Sequence, residues 1–160
     1  MNIRPARPED DDAIWSILQP IFAAGETYCL PPDIDRTGGL DYWAGGSHAV
    51  FVAEDGPRIL GTYFLCPNQR GGGAHVANAG FATATEARGR GIARAMLAHA
   101  LQTAPARGFR AMQFNFVVAT NTRAIALWEG AGFATVGRIP GAFDHPTAGE
   151  VDALVMYRRL

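Results

Sequence analysis

"TEARGRGIARAMLAHALQTAPARG", residues 85 to 108, changes character part-way along. Its opening turn holds Arg88, Gly89, Arg90 and Gly91, whereas Ile92, Met96 and Ala100, flanked by Ala93, Leu97 and Leu101, recur at the spacing of one helix face that Gly108 ends. Before the turn, His75 to Thr83 reads as a strand entered from the glycines at 71 to 73. A glycine turn between strand and helix exposes unpaired N–H groups at the positive end of the helix dipole, a geometry that suits phosphate or pyrophosphate. Arg88 and Arg90 can add charge-assisted hydrogen bonds. Walker-type and dinucleotide motifs do not fit, because no Gly-Lys-Ser/Thr follows and Arg94 stands where the third small residue belongs. A solvent-facing arginine turn that merely starts a helix is the plainer alternative.

Outward from this unit, residues 2 to 6 read as a strand, and "PEDDDAIWSILQPIF" opens with acids before Ile14, Trp15, Ile17 and Leu18 at helical spacing. "AAGETYCLPPDIDRTGGL" reads mostly as loop, with a short helix near Leu40 to Trp43. "HAVFVAEDGPRILGTYFLCP" predicts two strands joined by a turn at Asp55-Gly56. "AMQFNFVV" predicts a strand, "NTRAIALWEGAG" a helix with Asn121 near its N-cap, and "FATVGRI" and "VDALVMYRRL" two more strands. The pattern predicts an α/β (α+β) domain spanning residues 1 to 160, a mixed sheet with helices on its faces.

The 160 residues suit one domain, and 48% hydrophobic with 18% charged residues excludes a disordered chain. A net charge of −1 provides no general basic field, so nucleic acid and anionic membrane are not expected partners, and a phosphate-bearing ligand needs a local site. Cys29 and Cys66 lie in different segments without metal-ligand spacing; they read as reduced thiols, and no metal is expected. No signal-peptide pattern opens the chain and no apolar run of membrane-spanning length occurs, which makes the cytoplasm the expected location.

Arg88 to Ala93 resembles the Arg/Gln-x-x-Gly-x-Gly/Ala signature of the GNAT superfamily of acetyl-CoA-dependent N-acetyltransferases, and "NTRAIALWEGAGFATVG" resembles that superfamily's later Asn-x-x-Ala-x-x-Leu-Tyr-x-x-x-Gly-Phe motif. "NAGF" at 78 to 81 and "MQFNFVVATNTRAIALWEGAGFATVGRIPGAF" further resemble the acetyltransferases of L-azetidine-2-carboxylate and other proline analogues. The resemblance implies a mostly antiparallel sheet of six to seven strands with a splayed pair, acetyl-CoA as co-substrate, a small amine or amino/imino acid as acceptor, and the homodimer common among relatives.

It also implies site residues. Arg88, Gly89, Arg90, Gly91, Ile92 and Ala93 would hold the pyrophosphate; Phe81, Ala82 and Thr83 would lie along the thioester and pantetheine, with polarising amides near Phe81 and Thr83; Asn121 would serve both as N-cap and pantetheine contact. No Asp or Glu occurs between His75 and Thr85, which removes the carboxylate base many relatives carry there. Asn78 and Asn115 are then the candidate catalytic residues, able to orient a water or the acceptor amine without taking its proton, although each also suits an ordinary hydrogen-bonded strand asparagine. Glu26 and Tyr28 in "GETYC", with the aromatic ring of Phe81, are candidate acceptor-pocket residues. Trp128, at the cofactor side, stands where a tyrosine often protonates the thiolate, and indole cannot do so near neutral pH. Gly132 as a left-handed C′ residue would instead make Trp128 and Phe133 the apolar pair of a helix stop. Other readings of the motifs are a protein N-terminal or side-chain acetyltransferase, and a coenzyme A-binding module without catalysis.

Overall fold

The computed structural model describes residues 1–160. Seven strands, β1 (Asn2–Pro5), β2 (Ala49–Asp55), β3 (Arg58–Pro67), β4 (Val76–Thr83), β5 (Ala111–Val118), β6 (Ala134–His145) and β7 (Gly149–Arg159), form one sheet in the order β1-β2-β3-β4-β5-β7-β6. Every pairing is antiparallel except β4 with β5. Four helices cover it: α1 (Asp11–Ala24), α2 (Arg36–Ala44), α3 (Ile92–Ala106) and α4 (Thr122–Gly130).

Alternation along β3 decides which helices share a face. Thr62 accepts a hydrogen bond from the Trp43 indole of α2 at 3.0 Å, and Phe64 packs edge-on against the same indole. Tyr63 points the other way, where its hydroxyl lies 2.6 Å from His99 of α3. On that second face Phe51, Tyr63 and Phe81 stack across β2, β3 and β4 with centroids 4.8 and 5.4 Å apart, and Trp128 of α4 joins them 5.2 Å from Phe81. Such cross-strand aromatic contacts hold sheet register as well as adding apolar burial.

Two elements run further than their sequence suggests. The glycines at 38 and 39 read as loop, yet they lie inside α2, because the helix passes so close to α1 that a Cβ on Gly39 would stand 2.3 Å from the Trp15 ring. Asp35 caps this helix by accepting from the Gly38 amide at 2.8 Å. β6 continues past the predicted residue 139 through Pro140 and Gly141; it is an edge strand, so the missing N–H breaks no inner ladder, and the register shift between Ile139 and Phe143 absorbs the turn-prone residues. No helix is long and apolar enough to cross a membrane.

Asp10 ties β1 to the start of α1. Arg4 grips it with two hydrogen bonds of 2.7 and 2.9 Å, and the Arg7 amide adds a third of 2.7 Å. The hydrogen bonds from Arg4 foremost hold the Asp10 carboxyl below its ordinary value. Its contribution is therefore complete above the unfolded carboxylate range and is lost as pH falls through the lower native value. Asp10→Asn is expected to cost about 1.5 kcal/mol at pH 7. Urea midpoints between pH 3 and 7 should fall less steeply towards acid for the variant than for the parent chain.

Candidate active site

The cleft begins where two strands part. β4 and β5 pair only at Val76 with Ala111 and Ala77 with Met112, after which β4 remains bound to β3 alone. The Ala84 amide donates to Leu60 at 2.9 Å and the Val76 carbonyl accepts from Asn68 at 2.8 Å, so even-numbered β4 residues direct their backbone groups to β3. By alternation Ala79, Phe81 and Thr83 direct theirs into the opening. Tyr28 occupies one of these groups, its hydroxyl donating to the Phe81 carbonyl at 2.9 Å. Burial pushes the Tyr28 phenol well up, which keeps it a protonated donor at neutral pH. The opening is a cleft of about 1270 Å³.

Gly80 permits this construction. A Cβ there would stand 2.4 Å from Phe64 Cε1, so the ring can lie against β4 only where no side chain intervenes.

At one end of the cleft, the chain leaves β4 through a short 3-10 turn (Thr85–Ala87) and enters α3 through Gly89 and Gly91, both left-handed with φ of 79° and 78°. No side chain caps α3. The first helical amides, from Ile92 to Arg94, have no intrahelical carbonyl to meet, and the first helix-closing bond runs from Ala95 to Gly91 at 3.0 Å. Arg88, Arg94 and Arg123 line the same cleft without an ion-pair partner. Arg90 differs from Arg88: its guanidinium pairs with Asp55 of the β2–β3 hairpin at 3.1 Å, an exposed ion pair, and it is not among the residues that line the cleft.

Asn121 caps α4, accepting from Ala124 at 3.4 Å, and also lines the cleft. The helix closes as the Gly132 spacing predicts. Gly132 has φ of 85°, its amide donates to Glu129 at 2.9 Å, and Phe133 donates to the Trp128 carbonyl at 3.0 Å. The Trp128 and Phe133 rings meet through Phe114, with centroids 4.8 and 4.5 Å from it.

The strand asparagines Asn78 and Asn115 come together around a residue for which local sequence offers no signal, Asn68. Asn68 accepts from Asn115 at 2.6 Å and from Asn78 at 3.4 Å, while Gln113 donates to Asn115 at 2.8 Å. Asn68 lies just beyond β3 in a stretch that reads as turn; the usable signal is the hairpin register, which sets Cys66 opposite Asn78. Glu26 is exposed and is the one carboxylate among the cleft residues. His48 also lines the cleft. Cys29 is exposed and Cys66 buried, both free thiols raised by burial.

An α/β sheet opened between β4 and β5, with an uncapped helix start beside the opening, is the architecture of acetyltransferase structures. A GCN5-related N-acetyltransferase from Kribbella flavida is 42% identical, with a TM-score of 0.94 over 99% of this chain and 97% of that one. The yncA acetyltransferase structure from Salmonella typhimurium, which contains its cofactor acetyl-CoA, shares the fold with a TM-score of 0.88 at 19% identity, over 100% of this chain and 94% of that one. The class is thus that of the N-acetyltransferase fold. Residues 12–133 match the acetyltransferase (GNAT) family model, and an N-acetyltransferase, aca1, of Schizosaccharomyces pombe is 38% identical over 89% of this chain. The chain belongs to the GNAT acetyltransferase family. It spans 62% of the length of the fission-yeast relative.

Proposed function

We propose that the chain moves the acetyl group of acetyl-CoA to the nitrogen of a small amine or amino/imino acid by direct attack in a ternary complex. The observation that carries this reading is the parting of β4 from β5, which leaves inward-facing amides at Phe81 and Thr83 between an anion-ready helix start and a cluster of asparagines. The residues fit acetyl-CoA. The amides from Ile92 to Arg94, with Arg88, suit its pyrophosphate, and Asn121 and the Trp128 edge of the cleft suit the pantetheine arm. When bound, acetyl-CoA supplies a thioester activated for attack by nitrogen.

The chain's own part is positioning and polarisation. One of the Phe81 and Thr83 amides donates towards the thioester oxygen, where it stabilises the charge that grows during attack, and the other is left for the pantetheine arm. Tyr28 holds the Phe81 carbonyl and so fixes the orientation of that segment. Asn78 and Asn115 orient the acceptor, each with hydrogen-bonding capacity beyond its bond to Asn68.

Thiol release from acetyl-CoA, followed over a panel of amines, amino acids and imino acids, tests the reading. Acceptor-dependent release is expected for a small member of the panel. Cofactor binding without release would favour a coenzyme A-binding module, and release only with peptides would move the acceptor to a protein. Asn115→Ala is expected to raise the acceptor KM about tenfold, equivalent to about 1.4 kcal/mol, with acetyl-CoA affinity nearly unchanged. Loss of acetyl-CoA binding instead would show that Asn115 belongs to the cofactor side.

A further inference from the structure

The acceptor must reach the thioester as a neutral amine, yet β4 offers no base and the asparagines take up no proton. His48, just before β2, has the geometry for that task. Its Nδ1 lies 2.8 Å from the Trp43 carbonyl. A carbonyl only accepts, so Nδ1 carries the hydrogen and Nε2 of the neutral ring keeps its lone pair. The ring lies flat on Phe64, centroids 4.3 Å apart and planes 11° from parallel. Phe64 in turn rests against Gly80, the β4 residue between the two inward-facing segments at Ala79 and Phe81. One backbone carbonyl and one aromatic face therefore set both tautomer and ring plane, with Phe64 between the ring and β4, and the half-buried imidazole lines the cleft.

None of the other cleft residues is ion-paired or hydrogen-bonded to the His48 ring, whose one polar contact is the Trp43 carbonyl. Tyr42 comes from α2, Cys66 from β3, and Glu26, Tyr28 and Cys29 from the α1–α2 connection. Burial pushes the Tyr28 phenol and the Cys66 thiol upward, and partial loss of solvent moves Tyr42 and Cys29 the same way, so all four are uncharged near neutral pH. Glu26 is exposed to solvent and makes no hydrogen bond to His48. No carboxylate or guanidinium is hydrogen-bonded to His48.

We propose that His48 is the general base for the acceptor, taking the ammonium proton on Nε2 directly or through one water. This rests on the N-acetyltransferase reading above. The amine nitrogen then forms its bond to the thioester carbonyl carbon as the carbon–sulfur bond breaks. The nitrogen's second proton goes to the departing thiolate, and His48 returns the first to solvent. Neutral His48, with the Nε2 lone pair free, is the active form.

The test is the pH profile of kcat/KM for the best acceptor, with acetyl-CoA affinity and thermal midpoint measured on each variant. His48→Gln is expected to lower kcat/KM at pH 7 about 100-fold, with acetyl-CoA affinity within twofold of the parent. The deficit should narrow as pH rises, because an amine already neutral in solution needs no base. Added imidazole should partly restore His48→Ala. Glu26→Gln, whatever its effect on acceptor KM, should retain the acidic limb. A pH-independent deficit in His48→Gln, or an acidic limb that disappears in Glu26→Gln and persists in His48→Gln, overturns the assignment. If the parent chain acetylates no acceptor in the panel, the enzymatic reading falls and takes this one with it; if the parent is active and His48→Gln matches it, this one falls alone.

Discussion

Trp128→Ala is expected to lose about 3 to 4 kcal/mol of stability, the largest effect of any single truncation considered. Trp128 is 8% exposed and packs on Phe81 and Phe114, while Phe114 stacks on Phe133. Removing the indole leaves a void on the α3–α4 face of β4, beneath the segment whose amides face the cleft. The surrounding rings belong to two strands and a helix stop, so they cannot close the void without shifting backbone. Urea unfolding followed by far-UV circular dichroism measures the loss. Trp128→Tyr keeps a large ring and should lose less than half as much. It also addresses chemistry, since a tyrosine often donates a proton to the thiolate at this position in the superfamily. If solvent or the amine's own proton serves that purpose here, Trp128→Tyr leaves the pH dependence of kcat unchanged; a new ionisation on its basic limb would argue against that route.

The helix stop at Trp128 is written in local sequence. The order of strand, glycine turn and helix, the Asn121 cap and the Gly132 stop were legible because each depends on residues within about one helical turn. The stop appears with the two hydrogen bonds its spacing requires. Long-range relations were less legible. Gly38 and Gly39 look like loop residues because the local signal of glycine is permissiveness, whereas Gly39 answers to the Trp15 ring more than twenty residues away. Arg88 and Arg90 look equivalent in "RGRG", yet the hairpin turn brings Asp55 to Arg90 alone.

The cleft follows the same division. Asn78 and Asn115 were identifiable because asparagine is out of place in strands, and both lie at the parting of β4 and β5. Asn68, the oxygen that joins them, sits where asparagine is ordinary and became visible only through the β3–β4 register. His48 carries no motif; the Trp43 carbonyl and the Phe64 face that orient it are separated from it in opposite directions along the chain. A site assembled from several strands and loops is thus readable in its locally determined parts and opaque in its joints.

The glycine turn yields the other large effect, on ligand affinity. Gly91→Val is expected to weaken acetyl-CoA binding about 30-fold, equivalent to about 2 kcal/mol, as measured by calorimetric titration. The cause is conformation, since a Cβ at residue 91 would meet nothing within 4 Å. At φ of 78° a β-branched residue is strained by about 1 to 2 kcal/mol, and the chain relieves this by rotating the residue that starts α3. That rotation re-aims the amides of Ile92, Ala93 and Arg94, which must converge on one anion to be effective. Gly108→Val is the control: Gly108 has φ of 89° just beyond the opposite end of α3, with equally open surroundings. It should lose a similar 1 to 2 kcal/mol of stability while its affinity for acetyl-CoA stays within twofold. Equal loss of affinity in both variants would mean that strain in α3 as a whole governs binding. A loss confined to Gly91→Val places the effect at the turn, where the α3 amides must converge for the pyrophosphate to be held.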